Sequence, residues 1–137
     1  MTPIDPVTIK VLPRVWGEEI FVAETPTYLG KLLRMKAGTK GGLQYHVEKD
    51  ETFYLHDGQA IVRGERDGQL FEVTMSSGTA YHIPPGAVHQ VEAVTDCVLF
   101  EASTPVYDDR IRCEAMFGLP DDGGLPTTRS SAVCRLL

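Results

Sequence analysis

Residues Gly42–Glu51 read GLQYHVEKDE. Gln44 and His46 stand two apart, and side chains two apart on an extended chain point to the same side. Glu51 follows close behind. An amide, an imidazole and a carboxylate gathered in so short a stretch describe either a solvated sheet face or part of a metal site. The rest of the chain has to decide between them.

Helical periodicity is almost absent. The chain reads as short β-rich runs separated by turn residues, the pattern of an all-β sandwich or barrel. The pattern predicts strands at Thr8–Leu12, Glu19–Glu24, Tyr28–Met35, Gly42–His46, Glu51–His56, Gln59–Glu65, Gln69–Met75, Ala80–Ile83, His89–Ala93 and Cys97–Thr104. Turn signals AGTKGG, HDG, RDG, SSG and PPGA fall between them, and RDG between two β-rich runs marks a hairpin. So many short strands suit a double-sheet jelly roll or a small closed barrel. The length, 137 residues, fits one domain and buries roughly two-thirds of the unfolded surface, so folding requires no staple.

Hydrophobic content of 42% and charged content of 23% are ordinary for a globular protein. A formal net charge of −6 argues against binding nucleic acid through its phosphates. Cys97, Cys113 and Cys134 form no CxxC pair, which argues against a disulfide framework and suits a reducing cytoplasm. The start, MTPIDPVTIK, has no basic segment leading into an apolar run, and no apolar stretch approaches the roughly 18 residues that span a bilayer. The last stretch, GLPDDGGLPTTRSSAVCRLL, differs in composition. The reading divides the chain into a barrel with its N-terminal strands at 1–118 and a segment at 119–137, either a mobile tail or an arm on a partner subunit.

Read outward from the opening stretch, the spacing is Gly38, five residues, Gln44, one residue, His46, four residues, Glu51, six residues, Gly58. A second block runs Gly78, five residues, Pro84, one residue, Gly86, two residues, His89. These blocks resemble the two motifs of the cupin superfamily, the first of which normally begins with H-x-H and the second of which normally closes on an asparagine. Gln44 stands at the first histidine and Ala93 at the asparagine. The resemblance implies a double-stranded β-helix, a jelly-roll barrel, with Gln44, His46, Glu51 and His89 around one divalent transition metal ion. Gly38, Gly58 and Gly78 would allow the turns, and IPPGAVH would be a rigid turn carrying His89 across the barrel from His46. Two imidazoles, a carboxylate and an amide suit zinc, manganese, iron, cobalt or nickel better than calcium or magnesium. With Glu51 as sole anion the site keeps a net charge of about +1, fitting a Lewis acid. His56, before the HDG turn, and His82 fit no ligand position.

RVWGEEIF, LQYHVEKDETFYLHDG, YHIPPGAVHQVEA and LFEASTPVYDDRIRCEAMFG look similar to the cupin domain of type II phosphomannose isomerases. Val15 replaces that family's proline, Lys49 its arginine, and DDRIR departs from its acidic segment, around Asp108, Asp109 and Arg112. This resemblance implies aldose–ketose isomerisation or epimerisation of a sugar or sugar phosphate through a metal-stabilised enediolate. It places Glu101 as the proton-transfer group, in an apolar strand that would raise its pKa. It places Lys49, Arg110 and Arg14 as candidates for holding a phosphate or carboxylate. Trp16 is either a sugar-stacking ring or core. A non-haem dioxygenase acting on a small acid or phenol, a lyase or cyclase, and a non-catalytic ligand-binding cupin are the alternatives. Small cupins often pair through sheet edges, so the analogy implies a homodimer, with residues 1–13 or the tail as a swapped strand.

Overall fold

Alternating runs with one apolar and one polar phase can bury themselves only by pairing into sheets. In the computed structural model, which describes residues 1–121 and 124–128, they form two antiparallel sheets. The first has the strand order β1 (Lys10–Arg14), β2 (Gly17–Glu24), β3 (Leu29–Met35), β10 (Cys97–Ser103), β5 (Glu51–Asp57), β8 (Ala80–Ile83). The second has the order β11 (Ile111–Arg112), β4 (Gln44–Tyr45), β9 (His89–Ala93), β6 (Gln59–Arg66), β7 (Gln69–Ser76). From β3 onward the chain crosses back and forth between the sheets, which is the jelly roll that the sequence pattern predicts. No helix among the described residues is long and apolar enough to cross a membrane.

The inward phase of each strand changes character along its length. In β10, Cys97 and Leu99 stand opposite Met35 and Leu33 of β3, and one step further Glu101 stands opposite Lys31. In β5, Leu55 and Phe53 are buried, and so is Glu51 at the strand's start. One end of the barrel is therefore an apolar core around Met35, Phe53, Leu55, Met75, Ile83 and Leu99. Each such side chain stabilises the fold by roughly 1.5–3 kcal/mol when fully buried. The other end is lined by charge. A smaller apolar cluster of Leu43, Tyr45, Val88, Ile111 and Cys113 seats β4 against β11.

The RDG hairpin forms as predicted, with Asp67 at φ 54° and Gly68 at φ 79° between the paired Arg66 and Gln69. Three expectations are corrected. The first strand lies at Lys10–Arg14, two residues later than predicted, because Arg14 and Gly17 close a hairpin over Val15 and Trp16. Pro13 is tolerated there because β1 is an edge strand. β4 pairs over Gln44–Tyr45 only. On one side the Arg112 guanidinium crowds Gly42, where a Cβ would come within 2.6 Å of it. On the other side the chain turns after His46. Past Ser103, where no element is predicted, β11 and a 3-10 turn at Glu114–Phe117 follow.

The sequence leaves the segment from residue 119 as a mobile tail or an arm on a partner. In its described part, residues 124–128 lie along Arg110–Arg112. Thr128 N donates to the Arg110 carbonyl at 3.0 Å, and Arg112 N donates to Thr127 Oγ1 at 2.9 Å. Cys134 lies outside the described residues. Glu114 anchors this edge. Its carboxylate accepts the Leu43 N–H at 3.0 Å and the Arg112 Nε–H at 3.0 Å, and Arg112 reaches the Leu125 carbonyl at 3.1 Å.

Burial opposes ionisation of Glu114, but the Arg112 bonds outweigh it and hold the carboxyl below its ordinary value of 4.5. A lowered folded pKa gives stability that is present above the unfolded pKa and lost as pH falls through the folded one. Glu114→Gln is therefore expected to cost about 1–3 kcal/mol at pH 7. Its difference from wild type should shrink below about pH 4.5. Thermal melts from pH 7 to pH 3 measure both.

Candidate metal centre

Gln44 and His89 are register partners in β4 and β9, while Glu51 opens β5 in the opposite sheet. The proline–glycine turn between β8 and β9 is pinned to the chain at His46, because Gly86, at φ 87°, donates its N–H to the His46 carbonyl at 2.7 Å. The turn thus locates both histidines relative to each other. Their ring centroids are 5.1 Å apart.

Each ring is oriented by its other nitrogen. His46 Nδ1 donates to the Asp109 carbonyl at 2.5 Å, and His89 Nδ1 donates to the Ala87 carbonyl at 2.9 Å. A carbonyl only accepts, so both protons sit on Nδ1 and both Nε2 atoms are turned to the interior. Both approach one oxygen, Glu51 Oε1, at 3.3 and 3.0 Å. In neutral rings this sets two lone pairs against a carboxylate, an arrangement relieved either by a proton on a ring or by a cation among them. His46, Glu51 and His89 offer three ligand atoms within 4.8 Å of one another, all from buried residues. A buried carboxylate and two inward imidazole nitrogens fit a divalent transition metal ion. Gln44 lines the same cavity.

The turn between His46 and Glu51 is organised by Asp109, which is buried. Its carboxylate accepts the N–H groups of Val47, Glu48 and Lys49 at 3.0, 2.8 and 2.9 Å. One residue therefore fixes the backbone between two of the candidate ligands and, through its own carbonyl, the ring of one of them.

Beyond Glu51 runs a row of buried charge with alternating sign. Lys49 Nζ lies 3.0 Å from Glu51 Oε2 and 3.0 Å from Glu101 Oε2. Lys31 lies 3.5 Å from Glu101 and 2.7 Å from Glu19, which Arg14 meets at 2.8 Å. Burial favours the neutral form of Lys49, but the charges of Glu101 and Glu51 outweigh it and raise its pKa. Burial likewise opposes ionisation of Glu51, yet bonds from His46 and His89 and the Lys49 charge hold the carboxyl well below 4.5. For His89, burial favours the neutral ring, and the bond to Glu51 raises its pKa above 6.5.

The row and the histidines line one cavity of ≈ 160 Å³, which also admits Trp16 and Arg110. Arg110 donates to the Pro126 carbonyl at 3.3 Å, and among the described residues no carboxylate pairs with it. All seven predicted site residues thus line one space. Glu101 does so in a different setting from the one expected. Within the apolar strand β10 its side chain lies between two ammonium groups, because Lys31 is its register partner and Lys49 reaches it as well. His82 instead pairs with Asp50 at 2.7 Å on the surface, and His56 is exposed. Sequence reasoning missed Glu19, Lys31 and the capping role of Asp109. For Lys31 a signal exists: it occupies the inward phase of an otherwise apolar strand, between Leu29 and Leu33.

The family model for the cupin domain matches residues 31–103, more than half of the chain. The chain belongs to the cupins. No curated protein matches the sequence. Among solved structures, the cupin resembles the capsular polysaccharide assembling protein CapF from Staphylococcus aureus, with TM-score 0.67 and 21% identity, over 77% of this chain and 34% of that one. It resembles KdgF from Halomonas sp. with TM-score 0.60 and 23% identity, over 66% of this chain and 80% of that one. It also resembles the Bacillus subtilis oxalate decarboxylase, studied for its Mn(II) centres, with TM-score 0.66 and 16% identity, over 82% of this chain and 35% of that one. The cupin spans about a third of the CapF and oxalate decarboxylase chains, and at these identities the likeness is one of fold.

Asp109→Ala removes the acceptor of three backbone N–H groups. It is expected to lower stability by about 3 kcal/mol. It should also lower divalent-metal uptake, since the turn joining His46 to Glu51 loses its cap. Thermal unfolding and metal content measured on the same preparation check both effects.

Proposed function

We propose that this cupin is a metal-dependent enzyme that isomerises or epimerises a sugar or sugar phosphate. The observation that carries the reading is the pair of imidazole Nε2 atoms aimed at one oxygen of Glu51, each ring fixed through Nδ1. Gln44, His46, Glu51 and His89 would hold the ion. When bound, the ion supplies Lewis acidity to neighbouring carbonyl and hydroxyl oxygens. The remaining work falls to the chain's own side chains. Glu101 is the proton carrier: it is buried in the cavity wall, in contact with Lys31 and Lys49. Lys49 orients that carboxylate. Arg110, with no carboxylate within ion-pair distance among the described residues, holds a phosphate or carboxylate of the substrate. The resemblance of the RVWG and DDRIR segments to type II phosphomannose isomerases supports the sugar substrate, as does the fold shared with a polysaccharide assembling protein.

A second reading, metal-dependent chemistry on a small organic acid, is favoured by the cavity's modest size and by Arg110. Elemental analysis after reconstitution is expected to give about one zinc, manganese, iron, cobalt or nickel ion per chain. His46→Ala and His89→Ala should each lose it. Incubating the loaded protein with aldoses and aldose phosphates in deuterated water should exchange the proton beside the carbonyl, read by NMR. Glu101→Gln should slow that exchange by about 100-fold or more. Absence of exchange, with oxygen uptake or decarboxylation on small acids instead, would replace the sugar reading with the second.

A further inference from the structure

Lys49 places one buried ammonium at equal distance, 3.0 Å, from Glu51, a candidate metal ligand, and from Glu101, which is not one. One ammonium therefore serves two carboxylates at once: it donates a hydrogen bond to Glu101 Oε2 and sits as close to Glu51 Oε2. The Lys49 backbone is fixed by its N–H bond to Asp109, so the ammonium can change partners by side-chain rotation alone. On the far side Glu101 has a second cation, Lys31, at 3.5 Å, and therefore stays paired if Lys49 is removed. A divalent ion among His46, Glu51 and His89 arrives next to this ammonium and is repelled by it. That repulsion is weakened to the extent that Glu101 holds the ammonium away.

We propose that Lys49 is the resident counter-ion of Glu51, and that Glu101 sets the metal affinity by drawing this ammonium off the ligand carboxylate. The inference rests on the metal reading of the preceding section and adds a control to it. Lys49 occupies the carboxylate when the ion is absent and keeps the buried charge compensated. It withdraws to Glu101 when the ion binds. Glu101 thereby carries a second task beside proton transfer, and the two neighbours act on the ion with opposite signs. Lys49 weakens binding and Glu101 strengthens it.

The opposite signs make the inference testable without a substrate. The metal-free protein is titrated with zinc, and separately with manganese(II), in competition with a chromogenic chelator. Lys49→Met keeps most of the aliphatic stem and removes the charge, and is expected to bind each ion about 10- to 100-fold more tightly than wild type. Glu101→Gln keeps the shape and leaves the ammonium to Glu51, and is expected to bind about 10- to 100-fold more weakly. In the Lys49→Met/Glu101→Gln double variant, the Glu101 substitution should have little further effect. Circular dichroism melts confirm folding, and Lys49→Gln carries the same expectation if Lys49→Met does not fold. A site that is merely structural would lose affinity in both single variants. Both weaker, or both unchanged, with wild type binding one ion, overturns this inference and leaves the metal reading standing. A wild-type protein that takes up neither ion overturns both.

Discussion

Among the described residues, the buried charges that line the cavity alternate in sign, each within 3.5 Å of an opposite one, and the polar end of the molecule is built around that constraint. Moving an unpaired ion out of water costs several kcal/mol even after the surroundings relax. The strands answer it by register. Glu101 faces Lys31 because β10 and β3 pair in one frame, and the same frame puts Leu99 opposite Leu33 in the apolar core. A shift of one residue would turn the charged phase outward and the apolar phase with it. The core and the site are thus two ends of one register.

That arrangement leaves one imbalance, and it lies where chemistry is expected. Arg14, Glu19, Lys31, Glu101 and Lys49 neutralise one another in sequence. At the end of the row stands Glu51, which Lys49 meets through Oε2 and two imidazole Nε2 atoms meet through Oε1. Together these atoms offer a place for a cation. Arg110, lining the same space, gives the cavity a second point of positive charge for an anionic group.

The segment after the last long strand holds this geometry in place. Asp109 caps the turn between His46 and Glu51 and accepts from His46, while Glu114 and Arg112 tie the chain back to Leu43. None of this is visible as periodicity, because β11 is two residues long and the partners are as many as 71 positions apart. Sequence pattern reports neighbours along a strand face, whereas a capping carboxylate acts on whatever backbone the fold brings to it.

The sequence by itself determined the all-β architecture, through two-residue alternation and turn residues, and it determined the spacing of Gln44, His46, Glu51 and His89, through residue types that other folds rarely set at those intervals. Glycines at 38, 58, 78 and 86 were legible for the same reason, since each adopts a positive φ that other residues resist. Only the tertiary structure decided that Glu101 stands between two lysines and that Glu19 and Lys31 continue the row. Only it made Asp109 the cap of the ligand turn. Those contacts join different strands, and the Coulomb energy that fixes them depends on distance through space, which no local pattern encodes.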